Sequence, residues 1–168
     1  MLFILLLIIG IISRFIPHLA NFSPLLAIPL FSGVYLKKRY AMLLPLTTII
    51  VTDLFLGLHN TILFTWGSIL LISFIGLVIK TRKNILTITI GALSSAVLFF
   101  IITNFGVWLM GWYPPTWEGL LYCYKMAIPF FRINLLSTLG FSIIFFGIYE
   151  LAVLLVKKEQ IRKVLLIN

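Results

Sequence analysis

Long apolar runs separated by short polar breaks give the chain its pattern, and each run is a candidate helix. The first extends from Met1 to about Ile16 and closes on Arg14, Pro17 and His18. The second, Pro24–Leu36, stops at Lys37-Lys38-Arg39. The third runs from Tyr40 to about Leu58 and meets His59 and Asn60. The fourth, Thr61–Ile79, ends in Lys80, Arg82 and Lys83. The fifth runs from Ile85 to about Met110. The longest break, Gly111–Pro129, precedes a last run, Phe130–Val156, and a short amphipathic tail. A helix that crosses a bilayer takes about 20 residues. The pattern therefore predicts an all-α polytopic membrane protein with six transmembrane helices. The first two runs are short, which calls for tilt, local thinning of the bilayer, or two half-spans of one bent hairpin. The first run lacks the basic leader and small-residue cleavage site of a signal peptide. No repeat or linker divides the chain, so residues 1–168 form one transmembrane domain.

Composition agrees with that pattern. Hydrophobic residues make up 62% of the 168 and charged residues 10%, with a mean hydropathy of +1.19. A soluble domain runs nearer half apolar and a quarter charged. These figures exclude a soluble globule and a disordered chain. Six spans also leave no room for a built-in ATPase domain.

Charge then sets the orientation. The formal net charge is +9, which in a soluble protein would point to nucleic acid. Here the cations sort by side instead. Lys37, Lys38, Arg39, Lys80, Arg82, Lys83, Lys157, Lys158, Arg162 and Lys163 fall on one side of an alternating six-span chain. Arg14, Lys125 and Arg132 fall on the other. Basic residues mark the cytoplasmic side, so both termini are expected there and no nucleic-acid partner is expected.

The opposite, outer side collects the unusual residues. Arg14, His18, Asn21, Asp53, His59, Asn104, Trp108, Trp117, Tyr122 and Arg132 all lie in outer loops or adjoining helix ends. Ionisable groups at membrane depth are costly and face a cavity or a partner. Asp53 sits about five residues inside the outer end of its run, roughly 7–8 Å deep. A carboxylate there needs a partner, and Arg14 and Arg132 are the natural ones. The result is either an interhelical ion pair or one wall of a polar pocket. His18 and His59 are turn histidines or ligand contacts. Trp108, Trp117 and Tyr122 are interfacial anchors or an aromatic lid over a flat ligand. In the long break, Thr116 can cap a short interfacial helix, Gly119–Ile128. Glu150, near the inner end of the last run, can pair with an inner lysine. The one cysteine, Cys123, makes no CxxC metal motif. No nucleotide-binding P-loop, nucleophile elbow or zinc-protease motif is present, and no cofactor or enzymatic activity is expected.

Four segments carry a family resemblance. They are Arg14-x-x-Pro17-His18-x-x-Asn21-Phe22-Ser23-Pro24, Thr52-Asp53-x-x-x-Gly57-x-His59, Thr103-Asn104-Phe105-x-x-Trp108 and Tyr124-x-x-Ala127-Ile128-Pro129-Phe130-Phe131. Together they resemble an uncharacterised bacterial family of six-span membrane proteins. That family is similar in size and topology to the substrate-binding S components of energy-coupling-factor vitamin transporters. The resemblance implies a bacterial inner-membrane protein that captures a vitamin-like small molecule in a pocket near the outer face. Loops 16–23, 58–60 and 111–129 would roof it. It also implies a coupling subunit and ATPases as partners. Solitary carriers of this kind take cobalamin and supply one cobalt ligand from the protein. His59 and Cys123 are the two candidates for that ligand here. The first span departs from the pattern in lacking an Ala-x-x-x-Ala face. The rival reading is a structural membrane subunit that uses the same scaffold to hold partners without a transported ligand.

Overall fold

A computed structural model gives the fold. It describes residues 2–17 and 19–166, with side chains through Lys157. Six α-helices follow one another: α1 (Leu2–Phe15), α2 (Ala27–Tyr35), α3 (Lys38–Leu56), α4 (Ile62–Ile79), α5 (Ile85–Val107) and α6 (Trp117–Leu166). A 3-10 turn, Lys80–Arg82, extends α4, and a π-helical turn, Trp108–Trp112, extends α5. No strand occurs among the described residues. Each apolar run has become a helix. Four of them, α3 to α6 with their extensions, are long and apolar enough to cross a membrane. The other two fall short, with 14 residues in α1 and nine in α2. At about 1.5 Å per residue, α2 is about 13 Å long, against about 30 Å of hydrocarbon.

The helix ends follow local chemistry. Pro17 stops α1, because the residue before a proline is pushed out of the helical region. Asn84 caps α5 in a reciprocal box: its side chain accepts from Thr87 N–H, and Thr87 Oγ1 accepts from Asn84 N–H, both at 2.9 Å. Gly57 closes α3 at φ 109°, a left-handed conformation that suits glycine. Two prolines sit inside this half of the fold. Pro29 lies in the first turn of α2, where its fixed φ suits the start of a helix. Pro45, inside α3, frees the carbonyl of Ala41 one turn earlier, and Ser32 Oγ donates to that carbonyl at 2.9 Å.

The long break predicted over Gly111–Pro129 is mostly helical. Only residues 113–116 separate the π turn from α6, which runs unbroken for 50 residues through Pro129. Thr116 does act as the cap, accepting from Gly119 N–H at 3.1 Å. The expected interfacial helix is therefore the first part of α6. Packing against α5 holds it in line: Tyr124 OH donates to Ile101 O at 2.7 Å, and Cys123 Sγ donates to Asn104 O at 3.4 Å.

The helices run between two ends of one bundle. α1 lies parallel to α3, with Phe3 against Tyr40 at one end and Phe15 against Phe55 at the other. α2 lies parallel to α6, with Ser23 opposite Ser137 and Tyr35 opposite Glu150. The centre of the bundle is α2 itself, whose residues from Ala27 to Val34 are all buried. It crosses α4 at Gly33 and Gly76, where a Cβ built on Gly76 would fall 2.8 Å from Gly33 Cα. Phe31 anchors it on the other side, with ring centroids 5.1 Å from Phe146 and 5.7 Å from Tyr149. At the Glu150 end, Lys83 Nζ lies 2.7 Å from Glu150 Oε1 and 4.6 Å above the Tyr35 ring. Tyr35 OH donates to the same carboxylate oxygen at 2.5 Å. Glu150 thus pairs with a lysine, as expected of it.

Candidate functional site

At the end of the bundle opposite Glu150, polar residues expected on the outer side gather in two groups. The first group is built on Asp53, in the last turn of α3. Its side chain is enclosed, with the residue 1% exposed. Arg14, in the last turn of the parallel α1, places Nη1 2.7 Å from Asp53 Oδ1. The same nitrogen donates to Thr52 Oγ1 at 2.9 Å. From α4, Trp66 Nε1 donates to Asp53 Oδ2 at 2.9 Å. His59, in the turn between α3 and α4, stands farther off, with Nε2 3.8 Å from Oδ2, and its Nδ1 meets Thr61 Oγ1 at 2.9 Å. One carboxylate thus ties three helices and a turn together. A buried carboxylate is tolerable when a cation and hydrogen-bond donors replace its water, and Asp53 has both. Among the described residues Arg132 makes no ion pair with Asp53, and it is exposed on α6. Of the two expected partners, Arg14 is the one present.

The second group lines a cleft between α5, α6 and the segment that leads into α2. Its volume is about 210 Å³. Asn21, Thr103, Asn104 and Asn134 supply its polar lining, and Phe99, Phe100, Phe130 and Phe131 its rings. Asn21 adopts φ 63°, the left-handed region that asparagine tolerates better than most residues. Asn104 Nδ2 donates to Phe100 O at 2.8 Å, which holds its amide against α5. Asn134 differs from both. Its Oδ1 is buried and has no hydrogen-bond partner among the described residues. Ser137, one turn further along α6, donates to Ser23 O at 2.7 Å and fixes the lead-in to α2 against α6. Non-helical backbone persists at membrane depth only where protein buries it or it lines a cavity. Within the lead-in to α2, Asn21 lines this cleft, and Pro24 and Leu26 are buried by protein.

A second cavity of about 210 Å³ adjoins the first, sharing Asn104, Ala127 and Phe130 and reaching Tyr113 and Cys123. Cys123 was expected in an outer loop; it lies in α6 and is 2% exposed. It falls in the stretch expected as a short interfacial helix, and packing of that stretch against α5 covers it.

The other predicted residues are placed as follows. His18 lies outside the described residues. Trp108 Nε1 donates to Pro114 O at 2.9 Å, and its ring packs 5.6 Å from Phe105. It borders a separate surface groove with Trp112 and Tyr113. Trp117 opens α6 and is 67% exposed. Tyr122 is exposed, with its ring 5.9 Å from Tyr113. Of the nine predicted residues that are described, Asn21 and Asn104 line the cleft, and Arg14, Asp53 and His59 form the ion-pair group. Sequence reasoning missed Trp66, Thr103 and Asn134 as site residues. The signal for Asn134 was present: an amide two positions after Arg132 inside an apolar run. Trp66 gave no such signal, since tryptophan in a membrane helix reads as an interfacial anchor.

Among the described residues no group of three His, Cys, Asp or Glu side chains is arranged to hold a metal ion. A family model described as a family of unknown function, DUF6580, matches residues 1–162. No curated protein and no solved structure matches the chain. The chain belongs to the DUF6580 family.

Proposed function

We propose that this member of the DUF6580 family is a substrate-binding integral membrane protein that captures a vitamin-like small molecule, in the manner of the S components it resembles. Its six helices would cross the bacterial inner membrane with both termini in the cytoplasm, as the sorting of Lys and Arg requires. The supporting observation is the cleft: an irregular chain segment, three asparagines and a ring wall enclose about 210 Å³ beside an unpaired buried amide oxygen. Ligand pockets in membrane proteins are characteristically built where helical backbone is interrupted. The volume is below the 300–1,000 Å³ typical of drug-sized ligands, so this reading favours a compact ring over a corrin macrocycle. The Arg14–Asp53 group would fix the outer ends of α1 and α3 around the site. Inward release would follow reorientation of the bundle, on a partner that hydrolyses ATP if the coupling resembles that of S components.

The rival reading, a structural subunit, draws on the Asp53 group, which is filled by its own side chains. Protein purified in mild detergent separates the two. Extraction and mass spectrometry should recover a stoichiometric small molecule, and adding it back should raise the melting temperature. A stable, empty protein that responds to no vitamin in the same assay refutes the carrier reading.

A further inference from the structure

Resting on that reading of the cleft, we infer that its ligand is uncharged where it binds and carries a carboxamide or lactam on a single small ring. Three features of the cleft lead there. Its polar lining is Asn21, Thr103, Asn104 and Asn134, with no ionisable side chain among the described residues. An ion brought into such a site would lose its hydration without gaining a counter-charge, which is strongly unfavourable. The second feature is Asn134. The residue lines the cleft, and its Oδ1 is enclosed with no hydrogen-bond partner among the described residues, so a turn of the side chain is what brings the amide to a ligand. An amide offers one acceptor and one donor edge, and the two ends are interchangeable by a flip. The complement is therefore a group with a donor and an acceptor side by side, which describes a carboxamide or a lactam whichever way the side chain is turned. The third feature is shape. The cleft has room for about seven waters at about 30 Å³ each, and Phe100 and Phe131 stand with ring centroids 4.7 Å apart along its wall. A flat ring of six atoms with one substituent matches that room, and aromatic walls favour it over a flexible polar chain.

No hydrogen bond among the described residues gives the Asn134 Oδ1 a part in holding the empty fold. A buried amide oxygen without a partner costs stability and gives none to the empty protein. The same atom is well used when a ligand N–H reaches it.

The test uses full-length protein in mild detergent and titrations of matched probes: nicotinamide with nicotinate, benzamide with benzoate and benzylamine, and 2-pyridone. The carboxamides and the lactam should bind, with each ionised counterpart at least about tenfold weaker, the ratio that loss of one good hydrogen-bonded contact gives. Asn134→Leu should abolish binding of the neutral probes while the ligand-free protein melts no lower than wild type. Asn104→Ala, as a second variant, should weaken the same probes. An ionised probe, or a charged molecule recovered by mass spectrometry, that binds as tightly as the neutral set and is lost in Asn134→Leu overturns the ligand class and leaves the carrier reading intact. Absence of binding by every probe, together with an empty purified protein, overturns both. Neutral probes that bind equally well to Asn134→Leu and Asn104→Ala overturn the placement of the site in this cleft.

Discussion

Removing Arg14 should be among the most damaging single changes in the chain, and removing Asp53 with it should repair most of the damage. Asp53 is 1% exposed, and Arg14 is the cation 2.7 Å from it. Arg14→Met keeps the length of the side chain and takes away the charge. The carboxylate then stays enclosed with Trp66 Nε1 as its remaining close donor. Breaking a buried pair in this way costs about 3–5 kcal/mol. At about 2–4 °C per kcal/mol for a chain of this size, the melting temperature should fall by about 6–20 °C. Asp53→Asn is milder, because the amide oxygen still accepts from Trp66 and the Arg14 side chain, 20% exposed, can turn to water or headgroups. Its cost should be about 1–2 kcal/mol, the difference between a charged and a neutral hydrogen bond. The double variant should melt close to Asp53→Asn alone, giving a coupling of at least about 2 kcal/mol between the two sites. Thermal unfolding in detergent, followed by size-exclusion of the surviving monodisperse fraction, measures all four proteins. Additive losses, with a coupling below about 0.5 kcal/mol, would refute the reasoning: the short contact would then contribute nothing to holding α1 against α3.

Two further predictions rest on the packing of α2. Gly76→Ala should destabilise by about 1–3 kcal/mol, because the added Cβ meets Gly33 Cα and the Leu30 carbonyl, both backbone, whereas Gly140→Ala has open space and should stay within about 0.5 kcal/mol; equal melting of the two variants would show that α2 and α4 do not cross this closely. Ser32→Ala should cost about 1–3 kcal/mol by orphaning the Ala41 carbonyl, and the same change made in a Pro45→Ala background should cost much less, since the restored N–H then serves that carbonyl; a loss unchanged by Pro45→Ala would rule out the rescue.

The positions of the helices were legible because each depends on a run of apolar residues and a local stop. The end of α4 and the start of α5 fall within a residue of where the polar breaks put them. Arg14 with Asp53 was legible too, since a carboxylate inside an apolar run demands a cation. Two things were not. α6 passes straight through Pro129, because contacts with α5 outweigh a local breaker. Local sequence contains no record of that competition. The cleft was also hidden, because it joins Asn21, Asn104 and Asn134 from three separate segments and leaves Asp53 out. Polar residues at one end of a bundle share a depth, and depth alone does not say which neighbours they face.

The burial of α2 constrains how the chain can be assembled during synthesis. α2 emerges early, while the surfaces that enclose it, on α4 and α6, are made later. Ser137, which holds the lead-in to α2, lies more than a hundred residues downstream. Until it arrives, the Ser23 carbonyl lacks the hydroxyl that ties it to α6, and hydrocarbon offers no replacement. A nine-residue helix cannot be left across the lipid in the meantime. The N-terminal segment can dock on α3 and α4 as they enter, but the side of α2 that carries Phe31 and Tyr35 stays uncovered until α6 supplies Phe146 and Tyr149. A chain halted before α6 is thus a set of helices whose centre is covered on one side only.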